Sequence, residues 1–168
     1  MVEMIVDSVR VNLISPSRVV VLKEREGARY LAIVIGTAEA DAIAVKLQDR
    51  RVPRPLTHDL LHDVIEALGA QVRHVAVIKL VDQTYYASIA LNTNGPSLDV
   101  DSRPSDAIAL AVRVAVPIFV AEDVLDQAGF EPDREEAQES EAETIPEDKL
   151  KVFREFINQL DLDDFGRS

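Results

Sequence analysis

Apolar and polar residues alternate over much of the chain with a period close to two, the spacing of a β-strand with one buried face. Turn-forming residues such as Gly, Pro, Ser, Asn and Asp separate these stretches. Two of the stretches flank Asp82 and Gln83 so closely that we predict a hairpin. The predicted strands cover residues 3–14, 18–24, 29–36, 72–81, 84–93, 97–101 and 117–122.

Three segments repeat their apolar residues at the spacing of a helix instead. Thr37 precedes the first and Thr57 the second, and we expect both threonines to cap the helix that follows. Gly69 is a typical C-terminal stop for the second helix. The third begins near Pro104 and is apolar on nearly all sides as far as Val112, which predicts burial on most sides. These helices cover residues 38–48, 58–68 and 104–116, and residues 123–129 form a last helical turn.

The order of these elements predicts an α/β protein of the α+β type. Consecutive hairpins interrupted by helices favour a mixed, largely antiparallel sheet flanked by helices over residues 1–130. Residues 131–146 are acidic without an apolar period, which predicts a flexible linker. Residues 147–168 form a predicted amphipathic helix that needs a surface, either on its own domain, on a sister subunit or on another protein.

Composition narrows the chemistry that is open to the chain. With 168 residues, 47% of them hydrophobic, it can bury a sizeable core. The absence of cysteine excludes disulfides and thiolate metal sites, so a metal would need carboxylate, imidazole or backbone oxygen ligands. The N-terminus lacks a signal-peptide pattern and no apolar run reaches the length of a membrane span, so we expect a soluble, cytoplasmic protein without membrane contact.

The negative charge is concentrated near the C-terminus. The net charge is -12, of which residues 1–130 carry 13 basic and 17 acidic side chains and residues 131–168 carry 5 and 13. This balance excludes non-specific nucleic-acid binding through a broad basic surface, although it allows a small cationic site. The common glycine-rich nucleotide loops and the GxSxG hydrolase motif are also absent, and no organic cofactor is expected.

A mixed-charge stretch at the start of the third helix is the first candidate site. Helix N-termini attract anions, and Arg103 beside the free amides makes a plausible phosphate site. Asp101 and Asp106 can share a pocket with a phosphate only if a cation lies between them, and a divalent ion would serve. The alternative is structural, because Asp106 can neutralise the helix amides and pair with Arg103 at i, i+3.

Residues 50–63 are the second candidate. Arg50, Arg51 and Arg54 cluster in a stretch that two prolines stiffen. His58, in the first helical turn, can act as a general acid or base near neutral pH. His62 lies at i, i+4 from His58, but no HExxH pattern accompanies the spacing, which makes it weak support for a metal pair. His74, within a strand, is interpreted as structural.

Five segments of the chain resemble the bifunctional nuclease domain family. The resemblance implies an α/β domain, self-association as a dimer or trimer, and nuclease activity on both RNA and DNA. Its motif positions here are Glu39, Arg54, His58, Asp59, Asp101, Arg103, Ser105 and Asp106. The matching segments are IGTAEADAIA (35–44), RPLTHDLL (54–61), YYASIAL (85–91), DSRPSDAIALAVR (101–113) and PIFVAEDVL (117–125).

Three functions therefore compete. The first is a metal-assisted phosphodiesterase acting on nucleic acid, with Mg²⁺ or Mn²⁺. The second is a non-catalytic domain that binds a small anion or a protein partner, and the third treats both motifs as structural scaffold. In the first, the catalytic residues are His58, Asp59, Asp101 and Asp106, the substrate-binding residues are Arg54, Arg103 and Ser105, and the metal ligands are Asp101, Asp106 and Glu39.

Overall fold

A computed structural model of the chain describes residues 1–11 and 17–131. The linker and the tail helix predicted from the sequence lie outside these residues, and the first compact unit of the chain is Met1–Glu131. The strands are β1 (Val2–Val11), β2 (Arg18–Glu24), β3 (Tyr30–Ile35), β4 (Gln71–Val81), β5 (Thr84–Asn92), β6 (Leu98–Ser102), β7 (Ile118–Val120) and β8 (Gly129–Phe130). The helices are α1 (Thr37–Leu47), α2 (Thr57–Ala67), α3 (Pro104–Val114) and α4 (Glu122–Ala128).

The strands form one eight-stranded sheet in the order β6-β5-β4-β7-β1-β2-β3-β8. Every neighbouring pair is antiparallel except β4 and β7, which run parallel. The sheet is therefore mixed and largely antiparallel, and the predicted fold class is confirmed. The hairpin between β4 and β5 is confirmed too, with Asp82 and Gln83 both at positive φ, as a two-residue turn of the hairpin type requires.

The core lies on one face of the sheet, against α3. Residues 107–111 are each at most 1% exposed, and the three alanines among them let the helix approach the strands closely. Leu22, Leu31 and Val77 contribute buried side chains from three strands to the same cluster. The sequence prediction of a helix buried on most sides is confirmed, because α3 also packs against α1 and α2.

The two predicted threonine caps are wrong by one residue. Gly36 and Leu56 occupy the cap positions, neither with a side-chain cap, and Thr37 and Thr57 are the first residues of α1 and α2. At α2, a side chain of the first helical turn binds the backbone amide of the cap residue: the Leu56 N–H donates to Asp59 Oδ2 at 2.7 Å. None of the described helices has both the length and the apolar character needed to cross a bilayer.

Candidate functional site

The first turns of three helices converge at one place on the molecule. Glu39 belongs to the first turn of α1, His58 to that of α2 and Asp106 to that of α3, while Arg103 is the cap residue of α3. These four side chains line a common cleft. Because each helix N-terminus carries partial positive charge, the convergence favours negative groups at this point. The two sequence motifs, about 45 residues apart, thus meet in space.

Arg103 joins the acidic side chains of two helices. Its Nε donates to Asp106 Oδ2 at 2.7 Å, and its Nη2 donates to Glu39 Oε1 at 2.6 Å. The hydrogen bonds to Asp106 first, and then to Glu39, raise the pKa of Arg103 above its ordinary value. The Arg103 side chain is nevertheless 68% exposed. A guanidinium of the chain thus lies between Glu39 and Asp106, and part of it still faces solvent.

His58 lies behind Asp106. Its Nε2 is 3.1 Å from Asp106 Oδ1, and its side chain is only 8% exposed. Since a carboxylate can only accept, the ring proton of neutral His58 is on Nε2. Nδ1 is then an acceptor, and it is buried without a hydrogen-bond partner among the described residues. Glu39, Arg103, Asp106 and His58 therefore form one continuous polar chain, which we call the charge relay cluster.

The cleft beside this cluster has a volume of about 610 Å³, and its lining is part polar and part apolar. The polar lining residues are those of the cluster together with Asp41 and Thr57. The apolar residues, which we call the apolar wall, are Ala38, Ala42, Val45, Val52, Pro55 and Leu56.

Arg113 fixes the mutual position of the three helices. Its side chain is 6% exposed, and its Nε donates to Asp59 Oδ1 at 2.7 Å. Nη1 donates to the carbonyl of Ala109 at 2.7 Å and Nη2 to that of Ala42 at 3.1 Å. One guanidinium thus binds α1, α2 and α3 at once. The sequence analysis did not select Arg113, although a single arginine that ends an otherwise apolar run was the available signal.

Both carboxylate oxygens of Asp59 bind groups of the protein itself. Oδ1 accepts from Arg113, and Oδ2 accepts from the Leu56 amide. Partial burial acts to raise the pKa of Asp59, but the hydrogen bonds from Leu56 and Arg113 outweigh it, so the pKa lies below its ordinary value. The carboxylate faces away from the charge relay cluster toward Arg113, and its contacts are those of a structural residue.

Residues 20–133 match the family model described as the bifunctional nuclease domain. The chain belongs to this family. An uncharacterized protein of Mycobacterium tuberculosis is 43% identical over 164 residues, which cover 97% of each chain. Bifunctional nuclease 1 of Oryza sativa subsp. indica is 31% identical, and bifunctional nuclease 2 of Arabidopsis thaliana 32% identical, each over 110 residues. Those residues cover 63% of this chain and 33% of either plant protein.

Three other motif positions of the bifunctional nuclease domain do not line the cleft. Asp101 is an exposed residue of the edge strand β6, opposite Ser88, on the sheet face away from the core. Ser105 is 6% exposed and enclosed at the start of α3. Arg54 is exposed in the segment between α1 and α2, beside the cleft residue Pro55. The structure brings together four of the eight predicted site residues.

The positions of Asp101, Asp106 and Glu39 decide whether these three side chains could hold the predicted metal ion together. Over residues 1–11 and 17–131, no group of three or more His, Asp or Glu side chains is placed to hold a metal ion. Asp106 and Glu39 are both bound by Arg103, and Asp101 lies elsewhere. These residues do not form an all-protein metal cage. Two carboxylates at one cleft do fit Mg²⁺, which usually binds through one or two carboxylates, waters and the phosphate of a substrate.

Proposed function

We propose that the chain is a nuclease that hydrolyses phosphodiester bonds of RNA or DNA in the cleft beside the charge relay cluster. The observation that carries the proposal is the meeting of three helix N-termini around an exposed arginine, a carboxylate and a histidine at an open cleft. Helix N-termini and a guanidinium are favourable surroundings for a phosphate. The names of the plant relatives, bifunctional nuclease 1 and 2, support the same reaction.

Arg103 is the proposed phosphate-binding residue. An arginine has five N–H donors, and the recorded ion pairs to Asp106 and Glu39 use only Nε and Nη2. The remaining donors can bind phosphate oxygens from the solvent side, since most of this side chain is exposed. Glu39 and Asp106 hold the guanidinium in place, so that little side-chain entropy is lost when a phosphate binds.

Asp106 and His58 are the proposed proton-transfer pair. Asp106 reaches the cleft and takes a proton from the attacking water, while its bond to the Nε2–H of His58 orients the carboxylate. The water oxygen bonds to phosphorus as the bond to the leaving nucleoside oxygen breaks. That oxygen takes a proton from solvent, and Asp106 releases its own proton to solvent, which completes the hydrolysis and restores the carboxylate.

The charge of the cleft supports a requirement for a divalent cation. Glu39, Asp41 and Asp106 line it against the single cation Arg103, so an incoming phosphate meets surplus negative charge. Glu39 and Asp106 would hold Mg²⁺ or Mn²⁺ together with the substrate. Such an ion supplies charge neutralisation at the phosphate and favours ionisation of a bound water.

The test compares Asp106→Asn with Asp99→Asn on fluorescent RNA and DNA strands in Mg²⁺ or Mn²⁺. Asp99 is an exposed carboxylate of β6 outside the cleft. We expect Asp106→Asn to slow cleavage by about 100-fold or more, the usual size of a lost acid or base, and Asp99→Asn to cleave like wild type. Equal rates in wild type and Asp106→Asn would contradict the proposal. Activity that survives a chelator would contradict only the metal requirement.

A second candidate is a binding domain without turnover. The observation that favours it is the full pairing of Glu39 and Asp106 with Arg103, an arrangement that is also stable without a substrate. It predicts that small anions raise the melting temperature while no strand is cut in any metal. Metal-dependent cleavage that requires Asp106 would rule it out.

A further inference from the structure

We infer that the apolar wall of the cleft receives an unpaired nucleobase, and that the substrate is therefore a single strand or an unpaired segment rather than an intact duplex. The inference rests on the proposed nuclease function and adds the class of substrate. It starts from the mixed lining of the cleft, because a nucleotide likewise combines a charged phosphate with a flat, largely apolar base.

The size and lining of the cleft suit this ligand. A volume of about 610 Å³ lies within the usual range of clefts that enclose a small organic molecule. Val45, Val52 and Leu56 come from α1, the connecting segment and the residue before α2, and all three line the same cleft as the polar residues. Val52 is 39% exposed although it is apolar, and a base packed on it would remove that surface from water.

Arginines next to the apolar wall offer a path for the rest of the strand. Arg50, Arg51 and Arg54 are exposed in the segment that also carries Val52 and Pro55. None of the three is ion-paired to a carboxylate within the described ranges. Free guanidinium groups bind phosphates of either RNA or DNA, and such contacts do not depend on the base sequence. A strand with one phosphate at Arg103 and its base on the wall can place neighbouring phosphates along this segment.

A duplex is disfavoured for two reasons. A paired and stacked base has both faces covered, so it reaches the wall only after leaving the stack, at a cost that a single strand does not carry. Residues 1–130 also have a net charge of -4, from 13 basic and 17 acidic side chains, which provides little general attraction for the dense charge of a duplex.

The apolar wall offers no side-chain amide or hydroxyl with which to read the edge of a base. All six of its residues are Ala, Val, Pro or Leu. Aliphatic contact with the face of a base involves none of the donors or acceptors on its edge, so it is tolerant of sequence. The inference therefore predicts little preference among bases and a strong preference for unpaired ones.

Fluorescence anisotropy at low salt, with Ca²⁺ in place of Mg²⁺ to limit cleavage, tests the inference on the full chain. The probes are a labelled 12-nucleotide strand, the same strand in a blunt duplex, and the same strand with abasic sites throughout. We expect the intact strand to bind about tenfold more tightly than either other probe, roughly the effect of burying one face of a base against aliphatic side chains. Equal affinity for the abasic strand, or for the duplex, would overturn the inference.

Val52→Glu and Val34→Glu form a matched pair of variants. Val52 lines the cleft, whereas Val34 is a 71% exposed valine of β3 outside it, and circular dichroism checks that both variants fold. We expect Val52→Glu to weaken binding of the intact strand about tenfold, because it removes apolar surface and adds a negative charge, and Val34→Glu to leave binding unchanged. Equal binding by both variants would overturn the inference. If no probe is cleaved in Mg²⁺ or Mn²⁺ while the binding preference is intact, the nuclease proposal is contradicted but the base site is not.

Discussion

Arg113 is the residue whose contacts connect the core to the candidate site. It is buried, charged and bound to Asp59 and to the carbonyls of Ala42 and Ala109. Ala42 is three residues from Glu39, Asp59 follows His58, and Ala109 is three residues from Asp106. A buried guanidinium that loses its carboxylate is strongly unfavourable, since its charge is then uncompensated. The Arg113–Asp59 pair therefore stabilises the fold and holds three side chains of the charge relay cluster.

Asp59→Ala measures this contribution. We expect it to lower the free energy of unfolding by about 2–3 kcal/mol, less than for a fully buried pair because Asp59 is partly exposed. Asp63→Ala, on the same helix and exposed, should stay within about 0.5 kcal/mol of wild type. Urea unfolding at pH 7 provides both values. A loss no larger than that of the control would show that Arg113 finds other partners.

The contribution of the Arg113–Asp59 pair to the free energy of unfolding should depend on pH. Because the pKa of Asp59 is lower in the folded chain than its ordinary value of 3.8, its stabilisation is complete above that pH. This stabilisation is lost as the pH falls from 3.8 through the folded-state pKa of Asp59, where the carboxylate becomes protonated in the folded chain as well. The difference between wild type and Asp59→Ala should therefore shrink in unfolding curves taken below pH 4.

Among the helices, α2 ends at a residue whose backbone conformation favours glycine. Gly69 follows the cap residue Leu68 and has φ of +77°, in the left-handed region where a side chain is strained. We expect Gly69→Ala to lower the free energy of unfolding by about 1 kcal/mol. In Gly95→Ala, the new Cβ would meet Thr93 Oγ1 at 3.7 Å without a positive φ, so little change is expected. Equal losses in the two variants, measured by thermal unfolding, would contradict this explanation.

The elements themselves were largely predictable from the sequence, because their signals are local. The period-two stretches became strands, and the run of apolar residues after Pro104 became the buried helix α3. The cap positions were not predictable at single-residue precision, since Asp59 and not Thr57 satisfies the first amide of α2. That choice depends on where Arg113 lies, 54 residues further along the chain.

At the scale of the whole molecule, the arrangement of elements decides which charges meet. The sequence indicated two charged motifs and one shared pocket, and four of the residues it selected do line a common cleft. It could not separate Asp101 from Asp106, because only four residues lie between them in the chain. The alternation of side chains along β6 directs one away from the core face, whereas α3 directs the other into the cleft.

The pairing of Arg103 with Glu39 was also beyond the sequence. The two residues are 64 positions apart, and only the packing of α1 on α3 brings them together. From charge alone, the sequence predicted a divalent cation between a phosphate and the carboxylates of Asp101 and Asp106, whereas the structure has Arg103 bound to Asp106 and Glu39. For this reason we propose that the metal ion binds together with the substrate and is not a permanent part of the site.

In the proposed hydrolysis, His58 and Asp106 act as one unit. A double-mutant cycle measures this coupling, with kcat/KM for strand cleavage determined for wild type, His58→Gln, Asp106→Asn and the double variant. For two residues that function together, removal of the second costs little once the first is lost. We therefore expect the double variant to cleave within about threefold of the slower single variant. Losses that multiply, or a single variant as active as wild type, would contradict it.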